Sequence, residues 1–275
     1  MERFERQLRE AGPAFTELIE KVPLQDSPPL RPAWLRCEML ERHQVLERAP
    51  LVPGSTVLEV GSGPHATSTV PLAFALGPRG RVVAAERSRW GQFRRVVVAC
   101  EMQGRVFPVA CDARHLPFRT DSADLAVCIH GVRSLENEEN IEEVFREMLR
   151  VAPRLFVAES LPIATSKAQR AHLDMYGLRE EVFRATLGRP DDLAYFPLER
   201  LASLVMRAGG VVEGLATVDV DLPHALAYFP RSMVEAAPPG SVRDSLMRRW
   251  DEAHEMNLRY GADHPPVGFV LARRP

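Results

Sequence analysis

The sequence predicts an α/β fold, a mostly parallel sheet with helices on both faces. Three observations carry this. Short strand-like runs recur at 56–60, 81–86, 105–110, 124–129 and 154–158. Helical patterns lie between them at 67–76, 90–103 and 140–151. The first strand runs straight into a glycine turn and a helix, "TVLEVGSGPHATSTVPLAFAL" at 56–76. Alternation at this spacing makes βαβ units, whose right-handed crossovers put the strands' carboxyl ends on one edge, where ligands bind.

Before the first strand, residues 1–50 read as helices with proline-rich punctuation. "FERQLREAGPAFTELIEKV" has Phe4, Leu8, Ala11, Phe15, Leu18 and Ile19 at near-helical spacing. "QDSPPLRP" breaks the pattern, and "AWLRCEMLERHQVLERA" then places Leu35, Met39, Leu40 and Leu46 on one face. We expect a helical cap on a main domain of 51–275. After Ser160 the rhythm changes. Residues 162–197 read as a polar and aromatic insertion. "LERLASLVMRAGG" reads as a helix ending at Gly209 and Gly210. "VVEGLATVDVDLP" and "VGFVLARR" read as two late strands suited to an antiparallel edge pair, with a second insertion at 225–263 between them.

Composition narrows the function classes. With 45% hydrophobic and 26% charged residues the chain reads as an ordinary globular protein. A formal net charge of −2 gives no global pull toward nucleic acid or anionic membrane. The opening "MERFERQLRE" lacks an apolar core for a secretory signal, and no apolar run approaches the ~20 residues of a membrane span. A cytoplasmic protein is expected. Cys37, Cys100, Cys111 and Cys128 are too widely spaced for a metal knuckle, so buried thiols and no metal are expected.

The glycine turn fits two patterns. As G-x-G-x-x-A, at Gly61, Gly63 and Ala66, it suits a dinucleotide pyrophosphate and hydride chemistry. As E-x-G-x-G, at Glu59, Gly61 and Gly63, it suits an amino-acid-like cofactor. Glycines let backbone approach a ligand, and the helix that follows opens with unpaired N–H groups. Glu59 sharpens the choice. An acid at the end of a buried strand is costly unless it is hydrogen-bonded or faces a cation or an ordered water. A cofactor carrying an ammonium and a sulfonium suits it, whereas a pyrophosphate is repelled. Glu86 ends the second strand, where an acid can bind two ribose hydroxyls of either cofactor.

Three further stretches follow in order: "VACDARHLPF" (109–118), "DSADLAVCIHGVRSLE" (121–136) and "EEVFREMLRVAPRLFVAESLP" (142–162). With E-x-G-x-G, the D-A-x-x-L-P-F of the first makes the chain resemble the class I S-adenosylmethionine-dependent methyltransferases. It looks closest to the group that includes the ubiquinone/menaquinone-biosynthesis enzymes. The resemblance covers about 52–162. It implies a Rossmann-like seven-stranded sheet of order 3-2-1-4-5-7-6 with strand 7 antiparallel. It implies S-adenosyl-L-methionine as cofactor. Glu59, Gly61, Ser62 and Gly63 would lie at the methionine part, Glu86 at the ribose and Arg87 beside the adenine. Asp112 would accept from the adenine amino group, with a backbone contact from Ala113. His130 and Gly131 would lie under the sulfonium and face the substrate, with Glu159 at the same edge. His65 departs from the family pattern, which often has a glycine there.

Methyl transfer from a sulfonium is an in-line displacement, so positioning can supply much of the acceleration. A base is needed only when the nucleophile must lose a proton, and His130 is the candidate for that role. Tyr176 in the first insertion, and His224 and Tyr228 after the sixth strand, are candidates for the substrate side. Tyr195 and Phe196 read as lid core. The insertions and the N-terminal helices would cover the cofactor edge, which favours a small or lipid-like acceptor. An RNA or protein acceptor is the alternative, since "ERSRWGQFRR" and "RDSLMRRW" are local basic patches with a tryptophan. A nicotinamide oxidoreductase and a non-catalytic cofactor-binding subunit stand behind these.

Overall fold

A computed structural model describes residues 2–22, 31–87, 90–135, 137–187, 196–223 and 230–275, with 31–34 and 187 described by their backbone alone. Among them seven strands form one sheet: β1 (Thr56–Val60), β2 (Arg81–Glu86), β3 (Val106–Ala110), β4 (Leu125–Ile129), β5 (Arg154–Ser160), β6 (Val211–Val218) and β7 (Val267–Arg273). Their order is β3-β2-β1-β4-β5-β7-β6. The first five are parallel, with registers such as Glu59 beside Ala84 and Val57 beside Leu125. β7 runs antiparallel to both β5 and β6. This is the expected Rossmann-like order.

The central strands are buried on both faces, which is why "TVLEV", "LAVCI" and "RLFVAES" are apolar runs rather than alternations. Their side chains still divide by period two. Val57, Leu125, Val127 and Ile129 face one core. Ahead of the sheet, α1 (Glu2–Glu10), α2 (Pro13–Glu20) and α3 (Arg31–Leu46) pack into that core, together with α4 (Thr69–Ala75) and α5 (Trp90–Ala99). The expected N-terminal helices thus share apolar packing with the sheet. Phe15 stacks on His43, with ring centroids 4.0 Å apart, and Arg3 on α1 pairs with Asp221 and Asp263 near the late strands.

Leu58, Val60, Ala126 and Cys128 face a second core with α6 (Glu138–Val151). In α6 the apolar Ile141, Val144, Phe145, Met148 and Leu149 share one face. Asn137 caps its start by accepting from the Asn140 N–H, and Glu138 and Glu139 favour its positive end. The insertion at 162–197 contributes α7 (Lys167–Leu187), and α8 (Leu198–Arg207) follows it onto the second core. The later insertion supplies α9 (Arg231–Glu235) and α10 (Ser241–Tyr260), which join α7 in an apolar cluster of their own around Leu178, Val182 and Leu246. No helix among the described residues is long and apolar enough to cross a membrane.

Phe156 on β5 is fully buried and stacked against Phe269 of β7. Phe156→Ala is expected to lower unfolding free energy in urea by about 3–5 kcal/mol, because the cavity cannot collapse between two strands. Val98→Ala, on the exposed face of α5, should stay within about 0.5 kcal/mol. Equal losses would contradict this account of the core.

Candidate functional site

β1 and β4 are neighbours, yet the chain leaves them toward opposite sides of the sheet, opening a crevice at their carboxyl ends. Gly61 follows β1 with φ +75°, and its N–H donates to the Ala85 carbonyl at 3.0 Å. Gly131 follows β4 with one residue between. A Cβ on Gly61 would stand 3.3 Å from the Gly131 Cα, and one on Gly131 would stand 2.8 Å from Cys128 Sγ. Glycine at both places lets the two turns meet. His130, before Gly131, also takes a left-handed backbone with φ 54°, uncommon for a residue with a side chain.

A cavity of about 490 Å³ fills the crevice. Gly61, Ser62, Gly63 and His65 line it from the first turn, Glu86 and Arg87 from the second, and Ala113, His130 and Gly131 from beyond. Ser62 Oγ is buried there without a hydrogen-bond partner among the described residues. The Glu86 carboxylate accepts from the Gly63 N–H at 3.2 Å and the Arg87 N–H at 2.7 Å, which holds it across the glycine turn.

Two expected cofactor contacts are placed otherwise. Glu59 does not line the cavity. Period two turns it to the face of α4, where its buried carboxylate accepts from the Ser68 and Thr69 hydroxyls. Of the ways to satisfy a buried acid, this protein uses hydrogen bonds. Asp112 also lies outside the lining. It accepts from the Arg114 backbone N–H at 3.0 Å and from Arg114 Nη2 at 2.6 Å. Those bonds, with Arg87 at 3.7 Å, hold its carboxyl well below the usual range.

Behind the cavity lies a buried polar cluster. His130 Nε2 is 2.9 Å from Glu41 Oε1, while its Nδ1 lies 3.5 Å from Ser160 Oγ and 3.6 Å from Glu159 Oε2. Both ring nitrogens thus face oxygen. Glu159 does not line the cavity. It accepts from the Val132 N–H at 2.8 Å and lies 3.5 Å from Arg133 Nε. Burial opposes its ionisation, but the bond to His130 and the charges of Arg133 and His130 outweigh that and hold it low. Burial also opposes ionisation of Glu41, yet Arg42, His130 and His264 bring it down to about 2. Arg42 pairs with both Glu38 and Glu41, and Glu38 and Arg42 reach the cavity wall.

These α3 residues escaped sequence reading. Their signal was present: Glu38, Glu41 and Arg42 share a helix face by the i, i+3, i+4 rule. The apolar pattern on the same helix outweighed it. Tyr176 on α7 is not a cavity residue. Its hydroxyl lies 3.4 Å from Arg133 Nη1 and its ring 4.1 Å from the Arg179 guanidinium, so it ties α7 to the cluster. Phe196 is fully buried in the second core. His224, Tyr228 and Tyr195 lie outside the described residues.

Residues 58–154 match the family model of the methyltransferase domain. No curated protein matches the chain significantly. The fold is shared with the cyclopropane-fatty-acyl-phospholipid synthase-like protein from Lactobacillus casei ATCC 334, at 16% identity and TM-score 0.70, covering 94% of this chain and 98% of that one. It is shared with a SAM dependent methyltransferase from Aquifex aeolicus, at 16% identity and TM-score 0.51, over 89% and 93%. It is shared also with geranyl diphosphate methyltransferase in complex with SAM, at 11% identity and TM-score 0.52, over 91% and 93%.

Burial raises the Glu59 carboxyl from 4.5 to about 7, against the opposing pull of the Ser68 and Thr69 hydroxyls. The folded protein therefore holds this proton more tightly than the unfolded chain. Stability is unaffected below the unfolded value, falls as pH rises toward about 7, and levels above it. Glu59→Gln should remove this slope. Its stability relative to wild type should rise by up to about 3 kcal/mol between roughly pH 4.5 and 7, at about 1.4 kcal/mol per unit. Parallel pH–stability curves in denaturant titrations would show that Glu59 is ionised throughout.

Proposed function

We propose that the chain is a class I S-adenosylmethionine-dependent methyltransferase, a reading that its fold and its match to the methyltransferase domain support, and that it methylates a small or lipid-like acceptor. The observation that carries this is the crevice between β1 and β4, lined by the glycine turn and Glu86 and walled by Glu38 and Arg42 of α3. The residues present suit the cofactor at three points. Gly61 and Gly63 leave backbone room, the buried Ser62 Oγ has an unmet hydrogen bond, and Glu86 offers carboxylate oxygens to a diol. When bound, S-adenosylmethionine supplies a methyl group already activated on a sulfonium.

In this reading Gly61, Ser62 and Gly63 hold the methionine part, Glu86 the ribose, and Arg87 and Ala113 the adenine side. Glu59 acts through α4 as a positioning residue. Asp112 reaches an adenine amino group only by sharing its carboxylate with Arg114. His130 and Gly131 face the acceptor. His130 takes an acceptor's proton only by giving up an oxygen partner, so its first role is to orient the acceptor wall. Glu159 and Tyr176 support that wall from behind through Arg133.

The fold shared with a cyclopropane-fatty-acyl-phospholipid synthase-like protein over 94% of this chain favours the lipid-like side of this proposal. So does the motif resemblance to quinone-biosynthesis methyltransferases.

Calorimetry should show S-adenosylmethionine binding and no binding of a nicotinamide dinucleotide. Glu86→Ala should weaken the former by about 10- to 100-fold, as expected for loss of hydrogen bonds to a charged group. Labelled methyl groups should pass to extracted lipids or metabolites. Label found in RNA or protein and absent from the extracts would overturn the acceptor assignment.

A further inference from the structure

We propose that Glu41, His130 and His264 hold a divalent transition-metal ion. Each offers one ligand atom, and these atoms lie within 4.8 Å of one another. They come from α3, the end of β4 and the approach to β7, so tertiary packing alone assembles them. For bonds of about 2.1 Å, tetrahedral ligand atoms sit about 3.4 Å apart. The 2.9 Å from His130 Nε2 to Glu41 Oε1 is a hydrogen-bond distance, which must open by roughly 0.5 Å and lose its shared proton to reach that spacing. The widest gap needs closing by roughly 1.4 Å, within the reach of side-chain rotation.

The outer groups match what a metal-binding histidine needs. Such an imidazole carries its proton on the nitrogen away from the ion and donates it to an oxygen. His264 Nδ1 lies 2.9 Å from the Pro265 carbonyl, which can only accept, so Nδ1 carries a proton and, in the neutral ring, the lone pair is on Nε2. His130 Nδ1 is turned to Glu159 and Ser160, which directs Nε2 to Glu41. The ligands are buried: Glu41 is 0% exposed and His264 7%.

Two imidazoles and one carboxylate favour zinc, iron(II), cobalt or nickel over magnesium or calcium, which prefer all-oxygen sets. The expectation of no metal rested on cysteine spacing, and this site contains no cysteine. An ion there would bind α3 to β4 directly behind the cavity wall.

The test uses the full-length protein, stripped with a chelator and titrated with Co²⁺ and then Zn²⁺. We expect one ion per chain, a cobalt d–d absorption band, and a higher melting temperature on adding Zn²⁺. Mg²⁺ should produce neither the shift nor competition. His264→Gln and Glu41→Gln should each weaken Co²⁺ binding by at least about 100-fold. Circular dichroism and S-adenosylmethionine binding by His264→Gln confirm that the variant is folded. A folded His264→Gln that binds Co²⁺ like wild type overturns the assignment. So does a wild-type protein that binds S-adenosylmethionine and no transition metal, which would leave a His130–Glu41 hydrogen bond alone. Metal binding without S-adenosylmethionine binding would support the site while removing the cofactor reading.

Discussion

Two strands that lie side by side while the chain departs from them in opposite directions set the terms for the rest of this molecule. β1 and β4 share a register from Val57 beside Leu125 to Glu59 beside Val127. Beyond their carboxyl ends the turns must touch or leave a gap that the core cannot fill. Gly61 and Gly131 resolve this, because only residues without a Cβ allow the two backbones to approach so closely. The crevice above the contact is therefore a product of strand order. Its floor is backbone, and its polar walls are the side chains that happen to follow each strand: Ser62 after β1, Glu86 at the end of β2 and His130 after β4.

The second constraint is electrostatic. Glu41, Glu159 and His130 are almost removed from water, and such groups persist only when their oxygens and nitrogens are satisfied. Arg42, Arg133 and the Val132 N–H supply those partners. The His130–Glu41 contact crosses from the end of β4 to α3, so a buried polar tie joins the apolar packing that seats α3 on the sheet. α3 is in this respect part of the cavity wall, through Glu38 and Arg42. α7 joins the same network through Tyr176, while its partner α10 is held to it by a separate apolar cluster.

Glu59 and Asp112 teach a related lesson. Both stand in the motif positions that suggested cofactor contacts, and both are engaged by neighbours in the chain, Ser68 and Thr69 for one and Arg114 for the other. A motif acid near a ligand site can act by holding the loop or helix that shapes the site. Spacing in sequence cannot distinguish that role from direct contact, because both require the acid at the same strand end.

The sequence by itself determined the sheet. Periodicity placed the five parallel strands to within two residues at either end, and the motif resemblance supplied their order with β7 antiparallel. It also marked Gly61, Gly63, Glu86 and His130, since each follows or ends a strand whose position the apolar pattern locates. These are short-range consequences of strand, turn and helix. Only the tertiary structure decided which acids face the cavity, that Glu38 and Arg42 of α3 wall it, and that Glu41, His130 and His264 converge. The physical reason is that such meetings depend on the relative placement of whole elements, set by the summed packing of many apolar side chains. No local pattern around Glu41 or His264 records the partner it will meet.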